Sequence, residues 1–203
     1  MRRVTSSSMT QNELRDKVRD AYSSAAEDPR ARHPFPVGRA FAESLGYPSE
    51  WLDHVPAASL DAFAGVSNVP CFVDLPENGT VLDMGCGAGL DSLLLARRMA
   101  LQGRVIGLDF SWAMLERARC AAAANRTANV LFCQADAERL PLDDNVIDVA
   151  VVNGIFNLNP ARAAIFRELA RCIRPNGRLY GAELILREPL PPDAKAGEGN
   201  WFA

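Results

Sequence analysis

From residue 80 onward, short apolar runs alternate with longer amphipathic ones. "TVLDMG" (80–85), "RVIGLD" (104–109), "VLFCQAD" (130–136) and "VIDVAVVN" (146–153) are six to eight residues of mostly β-branched and apolar character, the signature of strands buried on both sides. Between them, "LDSLLLARRMA" and the alanine-rich "AMLERARCAAAANR" read as helices. "PARAAIFRELARCI" after the fourth strand reads as a third helix, with Pro160 near its start and "RPNG" at its stop. "PNGRLYGAELIL" (175–186) is a turn and a fifth strand. Strand and helix in alternation predict an α/β fold, a mainly parallel sheet covered on both faces. Ligands of such sheets sit beyond the carboxyl ends of the strands, where strand order reverses.

Residues 1–70 lack this rhythm. Helices are predicted around 10–27 and 38–46, separated by the proline-broken "DPRARHPFPVG" and "YPSEWLDHVP", which suits a helical cap more than an independent domain. The sheet domain is expected over 71–188. Residues 189–203 read as a loop-like tail ending in "WFA", an apolar stop more natural inside a longer sequence. One stretch fits neither rhythm: in "VVNGIFNLNPAR" (151–162) a greasy strand ends in polar amides, with Phe156 and Leu158 set among Asn153, Asn157 and Asn159.

Composition narrows the classes. With 48% hydrophobic and 23% charged residues in 203, the chain can bury an ordinary core. A net charge of −3 gives no reason to expect nucleic acid. No apolar run reaches membrane-spanning length, and "MRRVTSSSMTQNELRDKVRD" has no apolar stretch behind its arginines, so neither a membrane nor a secretory signal is expected. Five cysteines without a Cys-x-x-Cys pair and two histidines are poor material for a metal site or disulfide framework. They suit reduced thiols in a cytoplasmic protein, and no metal is expected.

The chemistry concentrates in "VLDMGCGAGLDS". A strand ends at Asp83, then Gly85, Gly87 and Gly89 bracket Cys86 before a helix begins. Glycines permit positive φ and let a ligand approach without a Cβ in the way. A dinucleotide fingerprint G-x-G-x-x-G would need its third glycine where Leu90 stands. The acid at Asp83 would repel a pyrophosphate but suits a ligand carrying an ammonium group. The second strand ends at Asp109, 24 positions after Gly85. That carboxylate either accepts both hydroxyls of a ribose or caps the next helix, a job for which Ser111 competes. Phe110 and Met114 either flank an adenine or belong to the core. Asp136 either accepts from an exocyclic amine, with the Ala137 N–H facing a ring nitrogen, or caps a helix.

Taken as a set, "VLDMGCGAG", "GLDFSWAMLERAR", "QADAERLPL", "IDVAVVNG" and "CIRPNGRLY", in this order and spacing, resemble the class I S-adenosylmethionine-dependent methyltransferases. The resemblance covers residues 80 to about 188 and implies a Rossmann-like, doubly wound sheet. It implies that Asp83 to Gly89 face the methionine portion of the cofactor, Asp109 the ribose, and Asp136 with Ala137 the adenine. Asn153 would meet the methionine end or the substrate, placing "NGIFNLNP" where donor and acceptor meet, with Phe156 beside the acceptor. S-adenosylhomocysteine would be the product. "N-x-x-x-N-L-x-P" and Asp91 in "GLDS" are similar to the arsenite methyltransferase-like branch. That branch binds trivalent arsenic through thiolates, and its expected cysteine positions carry Gly154 and Ser92 here. No trio of thiols stands out, the five cysteines falling mostly inside predicted strands and helices, so arsenite is not the expected substrate.

The expected function is therefore methyl transfer to a small-molecule acceptor, with no catalytic residue assigned and His33 and His54 as the only histidines. A second reading is a truncated, non-catalytic cofactor-binding module, or a domain completed as a homodimer. Its motive is that family members continue past the fifth strand with a helix and hairpin for which too little chain remains, leaving a bare sheet edge. A nicotinamide-dependent oxidoreductase is disfavoured by Leu90 and Asp83.

Overall fold

The computed structural model describes residues 10–100 and 102–185. Helix α1 (Gln11–Glu27) starts at a capping box in which Thr10 and Glu13 satisfy each other's backbone N–H groups. Three short helices follow, α2 (Arg39–Ser44), α3 (Ser49–Leu52) and α4 (Ala57–Leu60), then a 3-10 turn at Val69–Phe72. The segment 47–56, expected as broken chain, thus holds one helical turn. Pro48 and Pro56 stand at the N-caps of α3 and α4, where a missing N–H costs nothing.

The sheet strands are β1 (Thr80–Met84), β2 (Arg104–Asp109), β3 (Val130–Gln134), β4 (Ile147–Asn153) and β5 (Ile173–Ala182). All pairings are parallel, in the order β3-β2-β1-β4-β5, so the reversal of strand order lies between β1 and β4. Central strands are buried on both faces, whereas edge strands β3 and β5 are largely part-exposed. The expected fifth strand is displaced. It begins at Ile173, slips register between Ile147 and Val149, and stops at Ala182 short of Leu184. Likewise β3 stops at Gln134, which leaves Asp136 in a loop.

The layers are unequal. Helices α5 (Leu90–Arg98) and α6 (Trp112–Ala124) cover one face together with the cap. Tyr47, Leu52, Leu60 and Phe63 of the cap pack into one cluster with Leu90, Leu94, Leu115 and Phe132. On the other face α7 (Arg162–Cys172) buries the stripe Ile165, Leu169 and Cys172 against Leu82, Ala150 and Val152. It begins two residues after Pro160. No helix bridges β3 and β4. That connection is stapled to α7 instead, where Arg171 donates to the carbonyls of Leu140 and Leu142 and Glu168 accepts from the Leu140 N–H. Across this face, Leu131, Ile106, Leu82, Ala150 and Leu179 form one register row. Its middle is buried, but Leu131 is 63% exposed and Leu179 40%.

Helices α1 and α2 stand where helices were expected, and the alternation of the sheet agrees with the expected α/β plan. The tail 189–203, and with it the expectation about a missing hairpin, lies outside the described residues. Among those residues no helix is long and apolar enough to cross a membrane.

Candidate functional site

The carboxyl ends of β1, β2 and β4 open into a cleft roofed by α1, enclosing about 1140 Å³ including its mouth. Asp83, Gly85, Cys86, Gly87, Asp109, Phe110, Met114, Asp136, Ala137 and Asn153 all line it. Gly89 does not, and its expected place facing the ligand is corrected. It is the N-cap of α5 at φ +85°, and a Cβ there would stand 2.9 Å from both Ala118 and Phe132. It keeps α5 close to α6 and the sheet. Gly85 (φ +76°) is hemmed in by Ile155, whereas a Cβ on Gly87 (φ +52°) would meet only the Met114 sulfur, at 3.9 Å. The open approach is at Gly87.

Four of the loop's N–H groups are already used. Gly85 and Cys86 donate to the Leu108 carbonyl, Gly89 to the Cys86 carbonyl, and Gly87 to Asp109 Oδ2 at 2.8 Å. These four donors are not free to cradle a phosphate. Asp109 also accepts from the Ser111 N–H at 2.8 Å, while Ser111 itself caps α6. The cap alternative for Asp109 is thereby settled in favour of Ser111. Asp136 caps no helix either, but closes a turn by accepting from the Glu138 N–H.

Three carboxylates converge where the strands end. Asp83, Asp91 and Asp109 are each less than a tenth exposed. Ser92 donates to Asp83, and Tyr47 donates to Asp91 at 2.6 Å. Burial, then the Asp91 charge, pushes the Asp83 carboxyl well up from its ordinary range. Burial raises Asp91, with the Tyr47 and Asn153 hydrogen bonds pulling it back. Burial also raises Asp109 to about 6, opposed by its backbone donors. Among the described residues the one cation lining the cleft is Arg15, and it lies elsewhere, in ion pairs with Asp136 and Glu138. The other end of the site therefore already holds a counter-charge supplied by the roof.

Asn153 lines the cleft, yet its amide is committed to protein. Nδ2 donates to Asp91 Oδ2 and to the Ser67 carbonyl, both at 2.8 Å, and Oδ1 accepts from the N–H groups of Val66 and Ser67. Asn153 nonetheless stays on the cleft wall at the end of β4, where it was expected. The expectation for Phe156 is corrected. It stacks on Phe166 of α7 at 4.6 Å and is not part of the cleft wall, which Ile155, Leu158 and Asn159 form instead. Asn157 and Asn159 tie down Leu184 and Glu138. The amides of "NGIFNLNP" are thus mostly braces.

Sequence reading missed the roof. Arg15, Val18 and Tyr22 recur at helical spacing on α1, and Phe63, Ala64 and Gly65 follow α4. The i, i+3, i+7 pattern was visible, but nothing local says which element it covers. Tyr22 stacks on Phe35 at 4.5 Å, and burial with the Asp109 and Glu183 charges raises its hydroxyl far above neutrality. His33 bonds the Asp28 carbonyl and His54 is exposed; neither lines the cleft. Of the thiols, Cys71 and Cys120 are exposed, and Cys86 is buried with its pKa raised by desolvation. No group of three or more His, Cys, Asp or Glu among the described residues is arranged to hold a metal ion.

A parallel sheet, a glycine loop and buried acids at its crevice meet one sequence family, described as a methyltransferase domain, which matches residues 75–201. The chain belongs to this methyltransferase domain family. Relatives in it include the arsenite methyltransferase of Halobacterium salinarum, 33% identical over 76% of this chain and 39% of its own length. The demethylmenaquinone methyltransferase of Lactiplantibacillus plantarum is 35% identical over 64% and 53%. This methyltransferase domain spans about two fifths to half of those relatives. Among solved structures, an arsenic(III) S-adenosylmethionine methyltransferase from Chlamydomonas reinhardtii superposes with a TM-score of 0.56 at 27% identity, over 76% of this chain and 52% of that one. Arsenite methyltransferases thus stand both among the sequence relatives and among the solved structures that the chain resembles.

Proposed function

We propose that this domain binds S-adenosylmethionine at the β1–β4 crevice and transfers its methyl group to a small-molecule acceptor. The observation that carries the reading is the set of buried carboxylates beside a glycine loop that spends four of its N–H groups on the chain itself. Such a pocket repels a diphosphate and leaves an anionic end without a counter-charge, which an amino-acid ammonium would supply. Asp83 and Gly85 to Gly87 would hold the methionine end, Asp109 the ribose, and Asp136, Ala137, Phe110 and Met114 the adenine. The bound donor supplies an electrophilic methyl on a sulfonium. This chain's part is to orient the acceptor in line and exclude water, with Val18, Tyr22, Phe63, Ile155 and Leu158 as an apolar wall.

That wall favours an apolar acceptor whose nucleophile is already ionised or soft, since no histidine lines the cleft and Tyr22 stays protonated. Trivalent arsenic finds little support. Gly154, where a thiol is wanted, is closed off by Val66, and Ser92 is buried and donates to Asp83. Calorimetric titration with S-adenosylhomocysteine and with NAD tests the cofactor, and methyl transfer to a panel of thiols, phenols and amines tests the acceptor. Micromolar binding of S-adenosylhomocysteine with none of NAD is the expected result. Preferential binding of NAD overturns the reading.

A further inference from the structure

Asp91 is a carboxylate 5% exposed that borders the cleft beside Asp83, and both of its oxygens are held by neutral donors from different elements. Tyr47, in the linker between α2 and α3, donates to Oδ1, and Asn153, at the end of β4, donates to Oδ2. Tyr47 also reaches the Ser67 carbonyl at 2.9 Å, and Asn153 binds both the N–H and the carbonyl of Ser67. One hydrogen-bonded unit therefore joins the first turn of α5, the end of β4 and the 65–67 loop that continues the Phe63 wall. Gly65 packs so close to Asn153 that a Cβ there would stand 2.6 Å from Nδ2.

We propose that Tyr47 and Asn153 are positioning residues that keep Asp91 aimed, together with Asp83, at the ammonium group of the donor's methionine end. The inference rests on the S-adenosylmethionine reading above. A network made only of neutral donors favours the ionised form of Asp91 without cancelling its charge, so the charge is left for a ligand. The ionisable groups around it are Tyr47 from the cap, Asp83 from β1 and, next along the sheet, Asp109 from β2 with the Cys86 thiol. Arg15 is engaged with Asp136 and Glu138. Because the same unit holds the 65–67 loop, the donor's amino end and one wall of the acceptor chamber are held in a fixed relation.

The test is calorimetry on the wild type, Tyr47→Phe and Asp91→Asn at pH 6.5 and 8, with two probes: S-adenosylhomocysteine, and 5′-methylthioadenosine, which has no amino-acid end. Loss of the Tyr47 hydroxyl raises the Asp91 pKa, so S-adenosylhomocysteine should bind about tenfold more weakly at pH 6.5. Most of that loss should be recovered at pH 8, with 5′-methylthioadenosine unchanged at both. Asp91→Asn should weaken S-adenosylhomocysteine at both pH values and leave the other probe alone. Equal weakening of both probes at both pH values would show a merely structural role and overturn the inference, as would unchanged S-adenosylhomocysteine affinity in Asp91→Asn. Should Tyr47→Phe not fold, the Asp91→Asn result decides. A wild type that binds neither probe overturns the cofactor reading itself.

Discussion

The two ends of the cleft handle negative charge in opposite ways. At the β3 end, the side chain of Asp136 is 41% exposed and neutralised by Arg15 from the roof. At the β1 end, three acids are buried with serine, tyrosine, amide and backbone donors but no cation. The exposed pair is screened by water and adds little to stability. Burying three acids with no cation beside them is unfavourable to their charged forms, and burial raises the pKa of each. One end is thus electrostatically complete within the chain, and the other is the end left for the proposed ammonium group.

The largest effect should come from Asp109→Ala. It removes the proposed ribose acceptor and strands the Gly87 N–H, so S-adenosylhomocysteine and 5′-methylthioadenosine should both weaken by about 100-fold in calorimetry. Survival of either affinity would break the ribose assignment. Next is pH. Asp109 has a folded pKa of about 6 against an ordinary 3.8, so the native state holds the proton more tightly than the unfolded chain. Its contribution is therefore fully present below about pH 4 and lost as pH rises to 6, at up to about 1.4 kcal/mol per unit. The Tm of the ligand-free protein should fall across that window, and less in Asp109→Asn; a slope unchanged by the substitution would remove Asp109 as its cause. The smallest effect is at the other end. Arg15→Ala should change stability by less than about 1 kcal/mol, read by denaturant titration. Freed of its partner, Asp136 should bind 5′-methylthioadenosine a few-fold tighter, whereas a tenfold loss would mean that Arg15 itself contacts the ligand.

What could be read along the chain was what short range decides. The strand runs, the glycine loop and the acids Asp83, Asp109 and Asp136 each carry a local pattern, and the fold returns those residues to one cleft. What could not be read needed partners far away in sequence. Asn153 lines the cleft as its place at a strand end suggests, but nothing near it in sequence says that Tyr47, Ser67 and Asp91 share its amide. Phe156 looks like an acceptor neighbour until Phe166, a turn into the following helix, takes its ring. The same holds for Gly89, whose neighbours Ala118 and Phe132 lie 29 and 43 positions on. Arg15 carries no motif at all, and only the path of α1 over the strand ends gives it a site.

The bend after β1 keeps its shape by its own means, through Leu108, Cys86 and Asp109. An incoming guest meets a finished mould there and spends little entropy on setting it. The helix carrying Arg15, Val18 and Tyr22 lines the same cleft from above, so whatever settles at the bend also lies within reach of that helix.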